Sequence, residues 1–471
     1  MTSPMKRIYY RMEISLKTPL CVSNGMSVET DCDVIRDEEG NPFVPGSSLA
    51  GAFRSYVEEQ DVGQNQSGAE EIFGERNRDD GRMSRLWVND LWFDTEPIIS
   101  VRDGVKLENK VSVAKSKYDY EILEWGLGIV RMEALIWEAG MEDKIEQGIL
   151  TFAKGINQGE IRLGAKKTSG LGKLQVLKLS KKSFSKENVE EWISFDWKNW
   201  KDDPDFDLTQ KIGQQEVRTD YVTLRVPLTL TGALSIRQYG VKKGMPDFVS
   251  LMSHRDCVDP AKEGTKKKEM DSVAVIPGTS VKGAIRQRGK EILTQLGGTF
   301  EMLGAYECFW GYVEENLRPG RKKQKEIRNK KSDIIVTESQ MSPDTRSVIL
   351  VRNKISRFEN AVVDGGLYTE QAAALGRTVL EIKVKNNKAD SEWIIGLLLL
   401  AIKDLQHGYL SIGGCAAIGH GIFKENGEIE IDCYGTNADV GENQKEEKSE
   451  SQLQSYYLTK LREGIKHYGN C

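Results

Sequence analysis

The sequence is poor in the residues that metal centres and covalent catalysis most often use. Only four histidines occur in 471 residues, and no His-Glu-x-x-His or Gly-x-Ser-x-Gly run is found, which excludes the common zinc-protease and serine-hydrolase arrangements. Seven cysteines, odd in number and never closer than eleven positions, supply neither a disulfide framework nor a Cys-x-x-Cys knuckle, so reduced structural thiols are expected. The longest apolar run, 393–402, is half of the ~20 residues that a bilayer-spanning helix needs, so no membrane association is expected. The first seven residues, Met-Thr-Ser-Pro-Met-Lys-Arg, lead into strand-like alternation without the apolar core of a secretion signal, and a cytoplasmic protein is expected. Neither charge dominates: 66 Lys and Arg against 71 Asp and Glu give −5, so a polyanion site must be a local concentration of basic groups. With 39% hydrophobic residues and only 12 prolines the chain can fold almost throughout, and its length implies at least two cores.

What is present is a duplication. Residues 45–54, Pro-Gly-Ser-Ser-Leu-Ala-Gly-Ala-Phe-Arg, match residues 277–286, Pro-Gly-Thr-Ser-Val-Lys-Gly-Ala-Ile-Arg, at six of ten positions. In order, Phe73-Gly74 answers Trp310-Gly311, Val101-Arg102 answers Val351-Arg352, and Gly164, Gly170 and Gly172 answer Gly413, Gly419 and Gly421 at a constant offset of 249. One module spans 6–180 and the other 219–432. Between them 181–218 carries Trp192, Phe195, Trp197 and Trp200, too aromatic for a free linker, and 433–471 is a charged C-terminal tail with a short helix near 456–465. Each module reads as strand (7–18, 221–234), helix capped by Ser47 or Thr279, strand (85–93, 333–337), helix (143–156, 392–405), strand. That order predicts an α+β fold: two tandem ferredoxin-like sandwiches with insertions.

The repeated Pro-Gly-[Ser/Thr]-Ser element places small hydroxyl residues (Ser47, Ser48; Thr279, Ser280) where a helix begins, so amides and hydroxyls can meet a phosphate, with Arg54, Lys282 and Arg286 as charged neighbours. The Gly164–Gly172 turn brings backbone close to a polyanion with Lys166, Lys167 and Lys173 at hand, although it opens no helix and is neither a Rossmann nor a P-loop fingerprint. Residues 318–331 hold eight basic groups against one acid and read as a phosphate contact or a solvated insertion. The acidic loop 29–37 precedes the first helix, and its carboxylates can hold a divalent metal or activate a ribose 2′-hydroxyl.

The Val-Ile-Arg-Asp run at 34–37, then Gly-Asn-Pro-Phe-Val-Pro-Gly-Ser-Ser-Leu, Ile-Phe-Gly and the late glycine turn, resembles the RAMP superfamily, and within it the Cas-seven-like, RRM-like backbone subunits of type III CRISPR effector complexes. The resemblance covers most of 6–432 and implies two such subunits fused. It implies guide crRNA, paired single-stranded target RNA and other effector subunits as partners, a β-hairpin thumb between guide and target, and metal-dependent cleavage of the target, with Mg2+ as the expected ion. Aligned on residues 34–37, the cleaving aspartate is Asp31, with Asp33 as the alternative. The second module lacks that run and carries an insertion at 254–270. Deleting sixteen residues there places Asp247 fourteen residues before Pro277, as Asp31 lies before Pro45, with Asp256, Asp259 and Asp271 as alternatives. Asp31 and Asp247 are thus the implied catalytic and metal-binding residues. A non-catalytic RNA scaffold and a guide-processing endoribonuclease are the competing readings.

Overall fold

The computed structural model describes residues 5–23, 25, 28–61, 68–75, 81–94, 97–108, 111–200, 207–239, 244–254, 272–314, 328–386, 390–433 and 449–469. The alternatives Asp256, Asp259 and Asp271, and most of the basic run 318–331, lie outside them. The chain divides into two compact units, 1–167 with 171–218, and 168–170 with 219–471.

In the first unit the strand Lys6–Leu16 turns Ile8, Tyr10, Met12 and Ile14 to the main core at one-in-two spacing, while Tyr9 is buried on the opposite face. It pairs antiparallel with Leu127–Ile136 on one side (Tyr10 opposite Met132) and with Leu174–Ser185 on the other (Tyr10 opposite Lys181). Leu86–Val88 and Leu91–Phe93 pair with the far edge of Leu127–Ile136. The strand expected over 85–93 is therefore two short strands. The helices Gly46–Gln60 and Met141–Asn157 supply the apolar layer; Phe53 stacks on Phe152 with centroids 4.4 Å apart, and Leu49, Ile145, Ile149 and Ile156 are fully buried. A separate two-stranded hairpin, Ile98–Glu108 with Val111–Trp125, completes the unit. The described parts of 181–218 are built into it: Tyr9, Phe184 and Trp200 form one buried cluster with Phe195 and Trp197 against it, and Leu208 and Ile212 join the main core.

The second unit repeats this order. Tyr221–Leu230 buries Val222, Leu224, Val226, Leu228 and Leu230 between Arg377–Lys385 and the short strands Phe423–Glu425 and Glu430–Asp432, with Ile334–Val336 outermost beyond Arg377–Lys385. Gly278–Gln295 and Ser391–Gln406 are its two helices. The hairpin Arg346–Arg352 with Tyr368–Ala374 is extended by Phe248–Ser250, parallel, and Arg237–Tyr239. The C-terminal helix, Glu450–Gly469, is twice the length expected and is no solvated tail. Tyr457 and Leu461 are buried in the core, Tyr468 Oη donates to Asp390 Oδ1 at 2.8 Å, and Gly396 lets the backbone of Tyr457 come so close that a Cβ would lie 2.2 Å from its carbonyl oxygen. Apolar residues at three- and four-residue spacing (Leu453, Tyr457, Leu461, Ile465) make that packing face.

Candidate functional site

The two repeated helices do not begin as expected. They start at Gly46 and Gly278, with Pro45 and Pro277 at the N-cap and no side-chain cap bond, so Ser47 and Thr279 are not caps. The glycines are required because a Cβ would stand 2.3 Å from the Val88 carbonyl oxygen in the first unit and 2.2 Å from that of Val336 in the second. Ser47, Ser48 and Thr279 are exposed and Ser280 half-buried. In the first unit the Gly46 amide already donates to the Asp90 carboxylate at 2.7 Å, so an anion occupies this helix start. Arg54 donates to Glu58 at 2.9 Å, and Arg286 donates through both Nε and Nη2 to a single Glu307 oxygen, Oε2. An RNA phosphate at either arginine would have to displace a carboxylate.

Asp31 and Asp33 take different roles. The buried Asp33 carboxylate accepts from the amides of Val28 (2.6 Å), Glu29 (3.2 Å) and Thr30 (2.8 Å) and from the Thr30 hydroxyl (2.7 Å), and these bonds, Val28 first and the Thr30 hydroxyl next, hold it well below the usual carboxylate range. It is the tie that shapes the loop. Asp31 is exposed and exchanges two bonds with Asp119 on the hairpin: its amide donates to Asp119 Oδ1 at 2.9 Å, and the Asp119 amide donates to Asp31 Oδ2 at 3.1 Å. Asp31 Oδ1 takes no bond among the described residues.

Asp247 repeats this geometry in the second unit. Its amide donates to Thr369 Oγ1 at 3.1 Å, and its Oδ2 accepts from the Thr369 amide (2.7 Å) and hydroxyl (3.0 Å). The Thr369 amide and then its hydroxyl lower the Asp247 pKa. In both units, then, an exposed aspartate is latched by its Oδ2 to a strand of the long hairpin, leaving Oδ1 without a bond from another described residue. Buried acids flank both latches: Glu121 accepts from the Val34 amide and from Arg36 at 2.8 Å, and Glu370 accepts from Ser235 and Arg237, each at 2.7 Å. Asp119, Thr369, Glu121 and Glu370 were not singled out in the sequence. They sit in strands whose partners depend on pairing register, which residue spacing does not reveal.

The glycine turns superpose in conformation. Gly164, Gly170 and Gly172 have φ of +77, +107 and +76°, and Gly413, Gly419 and Gly421 have +91, +86 and +68°. Between them Lys166 (+54°) and Cys415 (+60°) are left-handed without being glycine. The Lys166 ammonium lies 4.2 and 4.3 Å from the ring centroids of Tyr118 and Tyr120 and donates to Tyr118 Oη at 2.8 Å, beside the Asp31 latch; at the matching position Cys415 Sγ accepts from Arg237 at 3.0 Å. Lys167 is exposed in the short 3₁₀ turn Lys167–Ser169, and Lys173 lays its stem over Gly159. Lys282 is half-buried: Nζ lies 3.2 Å from Thr168 Oγ1 and 3.5 Å from the Ile334 carbonyl, and burial, then Arg286, pulls its pKa down to about 8. The hairpin of the second unit also shows an apolar and basic surface, with Phe358 fully exposed beside Ile355, Lys354 and Arg357.

Among the described residues no group of three or more His, Cys, Asp or Glu is arranged to hold a metal. Asp31 with Asp119 offers two carboxylates, which fits an ion such as Mg2+ that takes one or two protein carboxylates and completes its shell with water and substrate phosphate. Asp247 with Thr369 offers one. No helix of the described residues is long and apolar enough to cross a membrane. No curated protein matches the sequence. The profile of the RAMP superfamily matches residues 13–175 and again 258–424, once for each copy of the repeat, and the chain belongs to this superfamily, which includes CRISPR-associated RNA-binding proteins.

Proposed function

We propose that the chain is a tandem backbone subunit of a type III CRISPR effector complex that binds guide crRNA and cleaves the paired target RNA in a metal-dependent way. The observation that carries this reading is the twinned latch: an exposed aspartate held at one oxygen against a hairpin in each unit, with the other oxygen taking no bond from another described residue. The antiparallel order in both units, last strand, first, third, second, with both helices packed as one layer, supports the ferredoxin-like reading and with it an RNA-gripping sheet.

RNA carries its own nucleophile, the 2′-hydroxyl, so the protein has to splay the target and orient that hydroxyl in line with the neighbouring phosphorus. The Asp119 amide fixes the Asp31 side chain, and Oδ1 is the atom placed to orient or accept the hydroxyl proton. Lys166, pinned on Tyr118 and Tyr120, offers positive charge to the phosphate. When bound, Mg2+ supplies neutralisation of the charge that develops on phosphate oxygens, with Asp31 and Asp119 as its protein ligands. The single carboxylate at Asp247 makes the second unit the weaker metal site.

The test is the RNA that copurifies with the chain, followed by mapping of cuts in a paired target. Guide-type RNA is expected, with Asp31→Ala removing one cut and Asp247→Ala a different one while both variants keep guide and target. Absence of bound RNA, or a cut pattern indifferent to both changes, refutes the proposal.

A further inference from the structure

The acidic loop of the first unit leaves its hairpin at Cys21 and returns to it at Cys32. Leu20 exchanges both backbone bonds with Leu123 at 2.8 Å, the Cys32 carbonyl accepts from the Glu121 amide at 3.0 Å, and the Ile35 amide closes the neck on the Val22 carbonyl at 2.9 Å. Both cysteine side chains fall in one cluster on the hairpin, Cys21 buried with Tyr120, Ile122 and Leu171, and Cys32 half-buried against them. Two thiols far apart along the loop are thus brought together at the neck of the segment that carries Asp31.

Neither thiol is needed to build this neck. Gly164 approaches the Cys21 carbonyl so closely that a Cβ would stand 2.3 Å from its oxygen, and Gly413 approaches the Ser235 carbonyl in the same way, at 2.7 Å, so Ser235 is the counterpart of Cys21 in the second unit. Phe248 follows Asp247 as Cys32 follows Asp31. The second copy makes its latch with a hydroxyl and a ring at these two places, and what the first copy gains from two sulfurs is redox chemistry. The two thiols are also unlike each other. Burial, and next the neighbouring Cys32 thiol, push the Cys21 thiol well above its usual range, while the Lys166 ammonium seated on Tyr120 pulls the other way. Cys21 is enclosed, and Cys32, half-buried beside the exposed Asp31, is the sulfur that an oxidant can reach.

We infer that Cys21 and Cys32 form a reversible disulfide that closes the neck of the acidic loop when the chain meets a small-molecule disulfide such as oxidised glutathione. The Cys32 sulfur attacks one sulfur of the oxidant, releasing one glutathione and leaving a mixed disulfide; Cys21 then attacks the Cys32 sulfur and releases the second. One S–S bond breaks and one forms, the two thiol protons pass to the two glutathiones, and the two electrons lost by the cysteines reduce the oxidant. Residues 22–31 become a closed ring with Asp31 inside it, so the redox state of the pair sets how freely the loop can move. The bridge is independent of RNA binding.

The test incubates the full chain in glutathione buffers of increasing oxidised fraction, blocks the remaining thiols with iodoacetamide and digests with trypsin, which leaves both cysteines on the single peptide 18–36. Toward the oxidising end this peptide should lose both alkylation sites together and appear two hydrogens lighter than the dithiol, and dithiothreitol should restore both sites. In Cys21→Ser, which places here the residue that the second unit already carries, Cys32 should instead keep glutathione as a mixed disulfide. Amide exchange at Val28 and Thr30 should slow when the wild type is bridged. A peptide that stays fully alkylated across the series, or a glutathione adduct that persists at Cys32 of the wild type, overturns the disulfide, and exchange unchanged in the bridged form overturns the closure of the loop. None of these readouts involves RNA, so each outcome leaves the RNA-binding reading as it stands.

Discussion

Lys282 allows the binding proposal to be read as a proton count. Its ammonium faces a hydroxyl and a carbonyl rather than a carboxylate, and burial with Arg286 nearby brings its pKa to about 8, against ~10.4 for the unfolded chain. Folding disfavours the charged form. Between pH 8 and ~10.4 the unfolded chain holds a proton that the folded chain has released, so stability rises with pH across this window and is flat and lowest below about 8. The difference corresponds to at most ~3 kcal/mol, and to roughly 1–3 kcal/mol once water reaching the half-buried side chain is counted. Lys282→Met should therefore be more stable than the wild type at pH 7 by that amount in urea unfolding, and the advantage should vanish by about pH 10. If an RNA phosphate reaches Lys282, it restores the charge: binding should take up about half a proton at pH 8 and nearly a whole one at pH 9, measured by calorimetry in two buffers of different ionisation enthalpy. Lys282→Arg should bind RNA without this uptake. Urea curves of wild type and Lys282→Met that stay parallel from pH 7 to 10 would refute the burial argument, and equal proton uptake by wild type and Lys282→Arg would refute the phosphate contact.

Replacing Arg54 and Arg286 together by Ala should lower the log–log salt slope of guide binding by about 1.4, at ~0.7 per phosphate contact, whereas Glu58→Gln with Glu307→Gln, which frees both arginines, should raise affinity; a slope unchanged in either pair makes these ion pairs purely structural. Chelation of divalent metal should stop target cleavage without altering the far-ultraviolet circular dichroism, since none of the described side chains forms a structural metal cluster, and a loss of fold in chelator would contradict this. Asp33→Asn should speed amide exchange at Val28 and Thr30 at neutral pH. In the wild type, whose Asp33 pKa is depressed by bonds from those residues, the same protection should persist above the unfolded carboxylate pKa of ~3.9 and be lost only as the pH falls further. Protection identical in the two proteins at pH 7 would remove Asp33 from its role as the loop tie.

The repeat, and much of the backbone it encodes, was legible in the sequence. Phe73-Gly74 and Trp310-Gly311 both end helices on a glycine of positive φ, and the six turn glycines, matched in spacing, all have positive φ as well. The equivalence of Asp31 and Asp247, reached by counting back from Pro45 and Pro277, meets two aspartates in the same latch. Partners brought in from far along the chain were not legible. Asp90 reaches the Gly46 amide across 44 residues and Asp119 reaches Asp31 across 88, and such pairs depend on sheet register rather than local pattern. The Arg54–Glu58 pair, by contrast, has the four-residue spacing of a helical ion pair and was open to reading.

Lys166 and Cys415 show what a duplicated turn is free to change. Both hold a left-handed backbone that costs a side-chain residue about 1 kcal/mol or more, and the surrounding amides and carbonyls impose that shape whichever side chain is present. The residue at this point behaves as an interchangeable fitting in a fixed socket, an ammonium on two tyrosine rings in one copy and a thiol under a guanidinium in the other. Transplanting 164–172 into the place of 413–421 would then carry chemistry without disturbing shape, so the two halves of one chain can be specialised separately, each serving as the other's isosteric control.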